Sequence, residues 1–157
     1  MKLVLLTMVS NKEAWFQESK DLYTEKINHF IKFEVEALKA PKIDRDRSDH
    51  KIKIESEMFL KYIKSEDLVI LLDEKGQSLS SLQLAKWMEK EGLNQSYKRI
   101  VFIIGGAFGV NDEVKKRAKM TLQMGPWTLN HLVAQTVLME QIYRSFTIIK
   151  GLPYHNQ

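Results

Sequence analysis

The sequence has 157 residues and no cysteine, which excludes disulfide scaffolds, thiolate metal sites, redox pairs and cysteine nucleophiles. Prolines number three and glycines seven, and no low-complexity linker or internal repeat divides the chain. Long apolar runs are missing too. The longest nearly apolar stretch, Ile100 to Val110, is broken by Gly105, Gly106 and Gly109 and falls short of the roughly 18 residues a spanning helix needs, so no membrane partner is expected. The opening Met1-Lys2 and Leu3 to Val9 is too short for a signal peptide, lacks an Ala-x-Ala site and runs into Asn11-Lys12-Glu13. It reads as a first β-strand of a cytoplasmic protein. Neither charge dominates: 24 Lys and Arg against 20 Asp and Glu leave +4, a mild excess shared by nucleic-acid-binding proteins and many enzymes. The four histidines, His29, His50, His131 and His155, show no metal-ligand spacing, and no metal is expected.

What is present is a chain 44% hydrophobic and 28% charged, enough for one domain over residues 1–157 with its own core. Strand-length apolar runs at Leu3–Met8, Phe33–Leu38, Leu68–Leu72 and Arg99–Ile104 alternate with segments of helical periodicity, which predicts an α/β fold. The unbroken hydrophobicity of Leu68–Leu72 and Ile100–Ile104 predicts strands covered on both faces, as in a parallel sheet sandwiched by helices. Ser10-x-x-Glu13 and Ser80-x-x-Gln83 have the form of capping boxes and predict helices over about 11–29 and 80–92. Further helices are expected at Lys51–Lys64, Asn111–Ala118 and about Thr128 to Lys150, the last stopped by Gly151 and Pro153. Pro41–Lys53 reads as a polar loop. The last helix is apolar around most of its circumference, which predicts that a second subunit covers it in a homodimer.

Four segments could carry chemistry. Gly105-Gly106-Ala107-Phe108-Gly109 follows a buried strand, where ligands of open α/β sheets bind, but it is neither a dinucleotide fingerprint nor a P-loop; a tight turn explains it equally well. Leu72 to Ser81 also follows a buried strand, and a Gly-containing turn before a capped helix is the plainer reading; if the two central strands are neighbours, both loops open onto one crevice. Leu122 to Leu129 offers backbone polar groups beside Pro126 and Trp127. Glu140 and Arg144 are spaced i, i+4, which commonly gives no more than a surface ion pair, and Tyr154 and His155 lie in the tail.

In order, these segments resemble the ribosomal RNA large-subunit methyltransferase H family of the SPOUT class. The resemblance is carried by Leu72-Asp73-x-x-Gly76-x-x-Leu79-Ser80-Ser81, Ile103-Ile104-Gly105-Gly106-x-x-Gly109, Thr128-Leu129-x-His131, Glu140-Gln141-Ile142-Tyr143-Arg144-Ser145 and Pro153-Tyr154-His155. It implies a parallel sheet with a C-terminal trefoil knot, a homodimer, and S-adenosylmethionine as methyl donor. The implied cofactor pocket is Leu72, Gly105, Met124, Gly125, Pro126, Trp127, Thr128 and Leu129. The implied reaction is methylation of N3 of pseudouridine-1915 in 23S rRNA of the assembled ribosome. By resemblance His155 acts as base, Tyr154 orients the substrate ring, and Arg144, held by Glu140, stabilises the developing anion. The chain departs from the family pattern at Met8-Val9-Ser10, in the loop Gln123–Trp127, at Asn130, and at Gln135 where an arginine is usual. The alternative is a non-catalytic RNA- or ribosome-binding protein on the same scaffold. Lys12, the Arg45–Lys53 loop and Lys115–Lys119 are the expected phosphate contacts.

Overall fold

The computed structural model describes residues 1–9, 11–44, 46–94 and 96–156. Five strands, β1 (Lys2–Thr7), β2 (Lys32–Ala37), β3 (Asp67–Ser78), β4 (Arg99–Ile104) and β5 (Met120–Gln123), form one all-parallel sheet in the order β2-β1-β4-β3-β5. The helices are α1 (Ala14–Asn28), α2 (Ser48–Tyr62), α3 (Ser81–Trp87), α4 (Asp112–Arg117) and α5 (His131–Ile149), with a π-helical turn at Met88–Gly92 after α3.

Both faces of the sheet are covered, as the apolar runs require. Leu68, Ile70, Ile100 and Phe102 point toward α1, α3 and α5, packing with Phe16, Leu84, Leu138 and Phe146. Val69, Leu71, Val101 and Ile103 face the other way, onto Phe59 of α2 and Val114 of α4. Removing a core side chain such as Phe102, fully buried, costs on the order of 3–5 kcal/mol. The starts of β3 and β4 are locked together: Arg99 donates from Nε to Asp67 Oδ1 at 2.8 Å and from Nη2 to Oδ2 at 2.6 Å. Burial of Asp67 makes this pair valuable to keep whole rather than cheap to lose.

Several expectations change. The first helix starts at Ala14, and Glu13 is its N-cap residue with extended backbone, so Glu13 cannot be the third helical residue of a capping box; Ser10 lies outside the described residues. Asn11 supplies a local hold instead, its Oδ1 accepting the Glu13 N–H at 2.9 Å. The Ser80 box is present: Ser80 Oγ accepts from Gln83 N–H, and Gln83 Oε1 accepts from Ser80 N–H. Part of the expected Pro41–Lys53 loop is helical, since α2 begins at Ser48; Arg45 lies outside the described residues. The last helix begins at His131 rather than Thr128 because Asn130 takes the N-cap, its Oδ1 accepting the Leu132 N–H at 2.9 Å.

The segment after Leu72 is not a simple turn. β3 continues irregularly to Ser78 and pairs again with β5, Gln77 opposite Leu122. Gly76 permits this, because a Cβ there would come within 2.7 Å of the Leu122 backbone. β5 itself, four residues long and lacking a long apolar run, was not expected from the sequence pattern. Much of the apolar circumference of α5 is covered by the chain's own sheet, α1 and α3, so its breadth alone does not demand a second subunit.

Candidate active site

The register of the central strands sets the position of the main cleft. Leu72 of β3 stands opposite Ile104 of β4, so the loops that follow both strands leave the sheet at the same level. Between them and the β5–α5 loop lies a cleft of about 520 Å³. Its walls include Leu72, Gly105, Met124, Gly125, Trp127, Thr128 and Leu129 of the expected cofactor set; Pro126 is in the same loop but not on the wall. The neighbouring-strand condition for one shared crevice is met.

The cleft is shaped largely by backbone. Gly109 and Gly125 adopt positive φ, +80° and +114°, conformations that side chains disfavour. Gly106 accepts the Gly109 N–H at 3.0 Å, closing the turn after β4. Asp73 and Glu74 border the cleft, and Thr128 Oγ1 donates to Glu74 Oε2 at 3.5 Å, tying the β5–α5 loop to β3. His131 also lines it, and burial lowers the affinity of its ring for a proton, helped by the charge of Lys51.

Sequence reasoning missed the support beneath this loop. Glu55 of α2 is buried, and its carboxylate fills the place a side chain on Gly106 would take, 2.2 Å from an ideal Cβ. Burial raises the pKa of Glu55 above the usual carboxylate value, partly offset by Lys51, whose Nζ lies 3.8 Å from Oε1. Beside it, Ser56 Oγ accepts the Asn111 N–H at 2.9 Å. The i, i+4 spacing of Lys51 and Glu55 was the only local signal, and it does not show burial.

The second group sits at the other end of α5. Glu140, Arg144, Tyr154 and His155 come together as the sequence suggested. Arg144 Nε donates to Glu140 Oε1 at 3.0 Å, and the Tyr154 hydroxyl donates to the same oxygen at 3.0 Å. The Arg144 guanidinium lies 4.6 Å from the Tyr154 ring centre. Arg144 Nη1 and His155 Nδ1 are 3.2 Å apart. A guanidinium has no lone pair, so Nδ1 is the acceptor and the neutral ring carries its proton on Nε2. Glu140 makes Arg144 a still weaker acid than usual, chiefly through the hydrogen bond. Burial, then the bond to Glu140, pushes Tyr154 up to about 12, so its hydroxyl remains a donor.

This network is anchored to the fold. Gln141 Nε2 donates to Glu140 Oε2 at 2.7 Å, and Gln141 Oε1 accepts from Ser81 Oγ of α3 at 2.6 Å. Tyr143 packs edge-on against Tyr154 at 4.8 Å. Gln135, at the departure from the family pattern, is fully buried and donates from Nε2 to the Val9 carbonyl at 3.1 Å; its Oε1 has no partner among the described residues.

The two groups do not meet. Glu140, Arg144 and Tyr154 are absent from the cleft wall, and His155 lines a separate shallow cavity with Leu82, Ile148, Gly151 and Leu152. His131, at the cleft, and Arg144 are separated along α5 by roughly 20 Å at the rise of an α-helix.

The parallel open sheet, with its glycine-walled cleft at the strand ends, is consistent with the class that the comparisons establish: the chain belongs to the SPOUT methyltransferase family. The family model described as "Predicted SPOUT methyltransferase" matches residues 1–155. Among curated proteins, the chain is 50% identical over 156 residues to a protein of Bdellovibrio bacteriovorus named ribosomal RNA large subunit methyltransferase H, covering 99% of each chain. It is 34% identical over 161 residues to the protein of that name from Christiangramia forsetii, covering 100% of this chain and 99% of the relative. A third, from Syntrophotalea carbinolica, is 34% identical over 157 residues with both chains fully covered.

Proposed function

We propose that this protein is an S-adenosylmethionine-dependent methyltransferase of large-subunit ribosomal RNA, acting in the cytoplasm as a homodimer on N3 of a 23S rRNA pseudouridine in the assembled ribosome. The names of its full-length relatives support the RNA class. The observation that carries the mechanism is the separation of the cleft from the tail cluster.

The cleft fits the proposed donor by its chemistry. Apolar side chains of Leu72, Leu122 and Leu129 suit an adenine ring, glycine backbone allows close approach, and Asp73 and Glu74 favour a cationic ligand. Leu72, Gly105 and the segment Met124 to Leu129 would hold it. Bound there, S-adenosylmethionine supplies an electrophilic methyl group.

Methyl transfer requires the acceptor nitrogen within about 3–3.5 Å and in line. Glu140, Arg144 and Tyr154 are off the cleft wall and His155 lines another cavity, so the tail is not positioned to serve the cleft of its own chain. In a two-fold dimer, the tail of one protomer serves the cleft of its partner. Exposed Leu82, Val133 and Leu152 are apolar surface for such an interface. We also place the knot of the family in this proposal, with the β5–α5 segment as its threaded part.

The acceptor N3 must lose a proton as the new bond forms. His155, neutral with an accepting Nδ1, takes that proton once Arg144 turns from it to the developing negative charge on the ring oxygen. Glu140 holds the guanidinium in either position, and Tyr154 donates or stacks as the ring docks.

The test is transfer of labelled methyl from S-adenosylmethionine to ribosomes lacking the modification, beside free 23S rRNA and a variant ending at Leu152. Transfer to ribosomes alone, abolished by the truncation, is expected. Cofactor binding without transfer would assign another RNA target, and no cofactor binding would favour a non-catalytic RNA-binding role.

A further inference from the structure

We propose that the corner where α2 and α4 both end, carrying Lys61, Lys64, Lys116 and Lys119, docks the sugar-phosphate backbone of ribosomal RNA at a distance from the target base. This surface rests on the rRNA methyltransferase reading above and adds a second point of attachment to it.

The corner is built by bonds between segments distant in sequence. Arg117, at the end of α4, donates from Nη2 to the Lys64 carbonyl at 2.6 Å and to the Asp67 carbonyl at 3.0 Å. Two residues on, the Lys119 N–H donates to the Val69 carbonyl at 2.8 Å. The last turn of α2 with Lys61, the turn into β3 with Lys64, and the end of α4 with Lys116 and Lys119 are therefore gathered at the start of β3. All four lysines are exposed.

Their charge is not offset locally. Among the described residues none of the four ammonium groups forms an ion pair. Glu66 stands at the corner but pairs with Lys98, 3.4 Å away, and Asp67 is buried against Arg99. Glu57 precedes Lys61 by one turn of α2, and Asp112 and Glu113 stand at the opposite end of α4. Like charges gathered on one surface repel one another; a polyanion relieves that repulsion, and release of its counterions drives binding.

The corner lies clear of both parts of the proposed active site. The cleft begins at Leu72, five residues along β3 from Asp67, roughly 17 Å at the rise of a strand. Lys115 borders that cleft and is not counted in the corner. α3 and α5, which carry Leu82 and Val133 of the proposed dimer interface, cover the face of the sheet opposite α2 and α4. A surface of one sign is also not self-complementary, which pairing about a two-fold axis requires. Its partner is therefore of opposite charge, and RNA backbone fits: phosphate contacts fix orientation without reading sequence, and in-line methyl transfer depends on orientation.

The test is binding to ribosomes lacking the modification, measured over a range of salt. It compares the full chain, a triple variant with Lys61→Gln, Lys116→Gln and Lys119→Gln, and the matching triple change to arginine. The glutamine variant binds about tenfold more weakly at physiological salt, and its slope of log affinity against log salt is shallower by about two to three. The arginine variant keeps both values, and affinity for S-adenosylmethionine and sedimentation stay unchanged in each. In a chain without cysteine, Lys119→Cys introduces a single thiol, and a photoactivatable crosslinker placed on it attaches the protein to rRNA. Parental affinity and slope in the glutamine variant overturn the proposal. Crosslinks confined to ribosomal proteins overturn it in favour of an acidic protein surface, and a change in oligomeric state overturns it in favour of a second copy. If the unaltered protein transfers no methyl to any RNA, the underlying reading fails and this one with it; normal transfer with an indifferent corner sinks only the docking surface.

Discussion

The two ends of α5 solve different problems with different materials. At its start, the cleft is made of backbone and small residues, Gly105, Gly106, Gly109 and Gly125, whose value is the space they leave. At its far end, the tail cluster is made of side chains, Glu140, Arg144, Tyr154 and His155, whose value is the protons and charge they place. In the proposed reaction the first binds by shape and the second acts by electrostatics.

That contrast is sharpest at Arg144. Replacing it with alanine removes the only cation within the tail cluster described and lowers kcat by roughly 100- to 1,000-fold if it stabilises the developing anion. Calorimetric affinity for S-adenosylmethionine stays unchanged, because Arg144 does not line the cleft. Equal losses in turnover and cofactor affinity would erase the distinction between the two regions.

Gly76→Ala attacks the other side of the comparison. Its new methyl group meets backbone rather than a yielding side chain, which costs about 1–3 kcal/mol in denaturant unfolding and displaces β5 from β3. Cofactor affinity falls with stability. Gly106→Ala is milder, because the atom it meets is the end of the Glu55 side chain.

The fold class was legible because Leu68–Leu72 and Ile100–Ile104 carry the unbroken hydrophobicity of strands buried on both faces, and the Ser80 box because its partners are local. The tail cluster was legible through resemblance, since Glu140 to Arg144 alone suggests only a surface pair. Other features depend on contacts distant in sequence. β5 is too short for periodicity to reveal, and the second half of β3 reads as a turn because its strand character comes from pairing with Leu122 and Gln123. Glu55 looks like one more charged residue on a polar helix until Gly106 is packed over it.

Glu55 gives the smallest effect, and it depends on pH. Its folded pKa is raised by burial, so the folded protein holds that proton more tightly than the unfolded chain does. The associated stability is full below the ordinary carboxylate value and is lost as pH rises through the raised one. Glu55→Gln stays neutral throughout, so its Tm relative to the parent climbs as pH rises through and above the ordinary carboxylate range. A difference that does not vary with pH would mean that burial of the carboxylate carries no cost.

The most direct test of a cleft served by its partner's tail mixes two inactive proteins. One carries Gly105→Trp to fill the cleft wall, the other Arg144→Ala, and the two are unfolded and refolded together. Random pairing makes half the dimers mixed, each with one intact composite site, so activity returns to about a quarter of the parent value. A mixture that contains mixed dimers yet remains as inactive as its components would contradict the account, because it would confine each active site to a single chain.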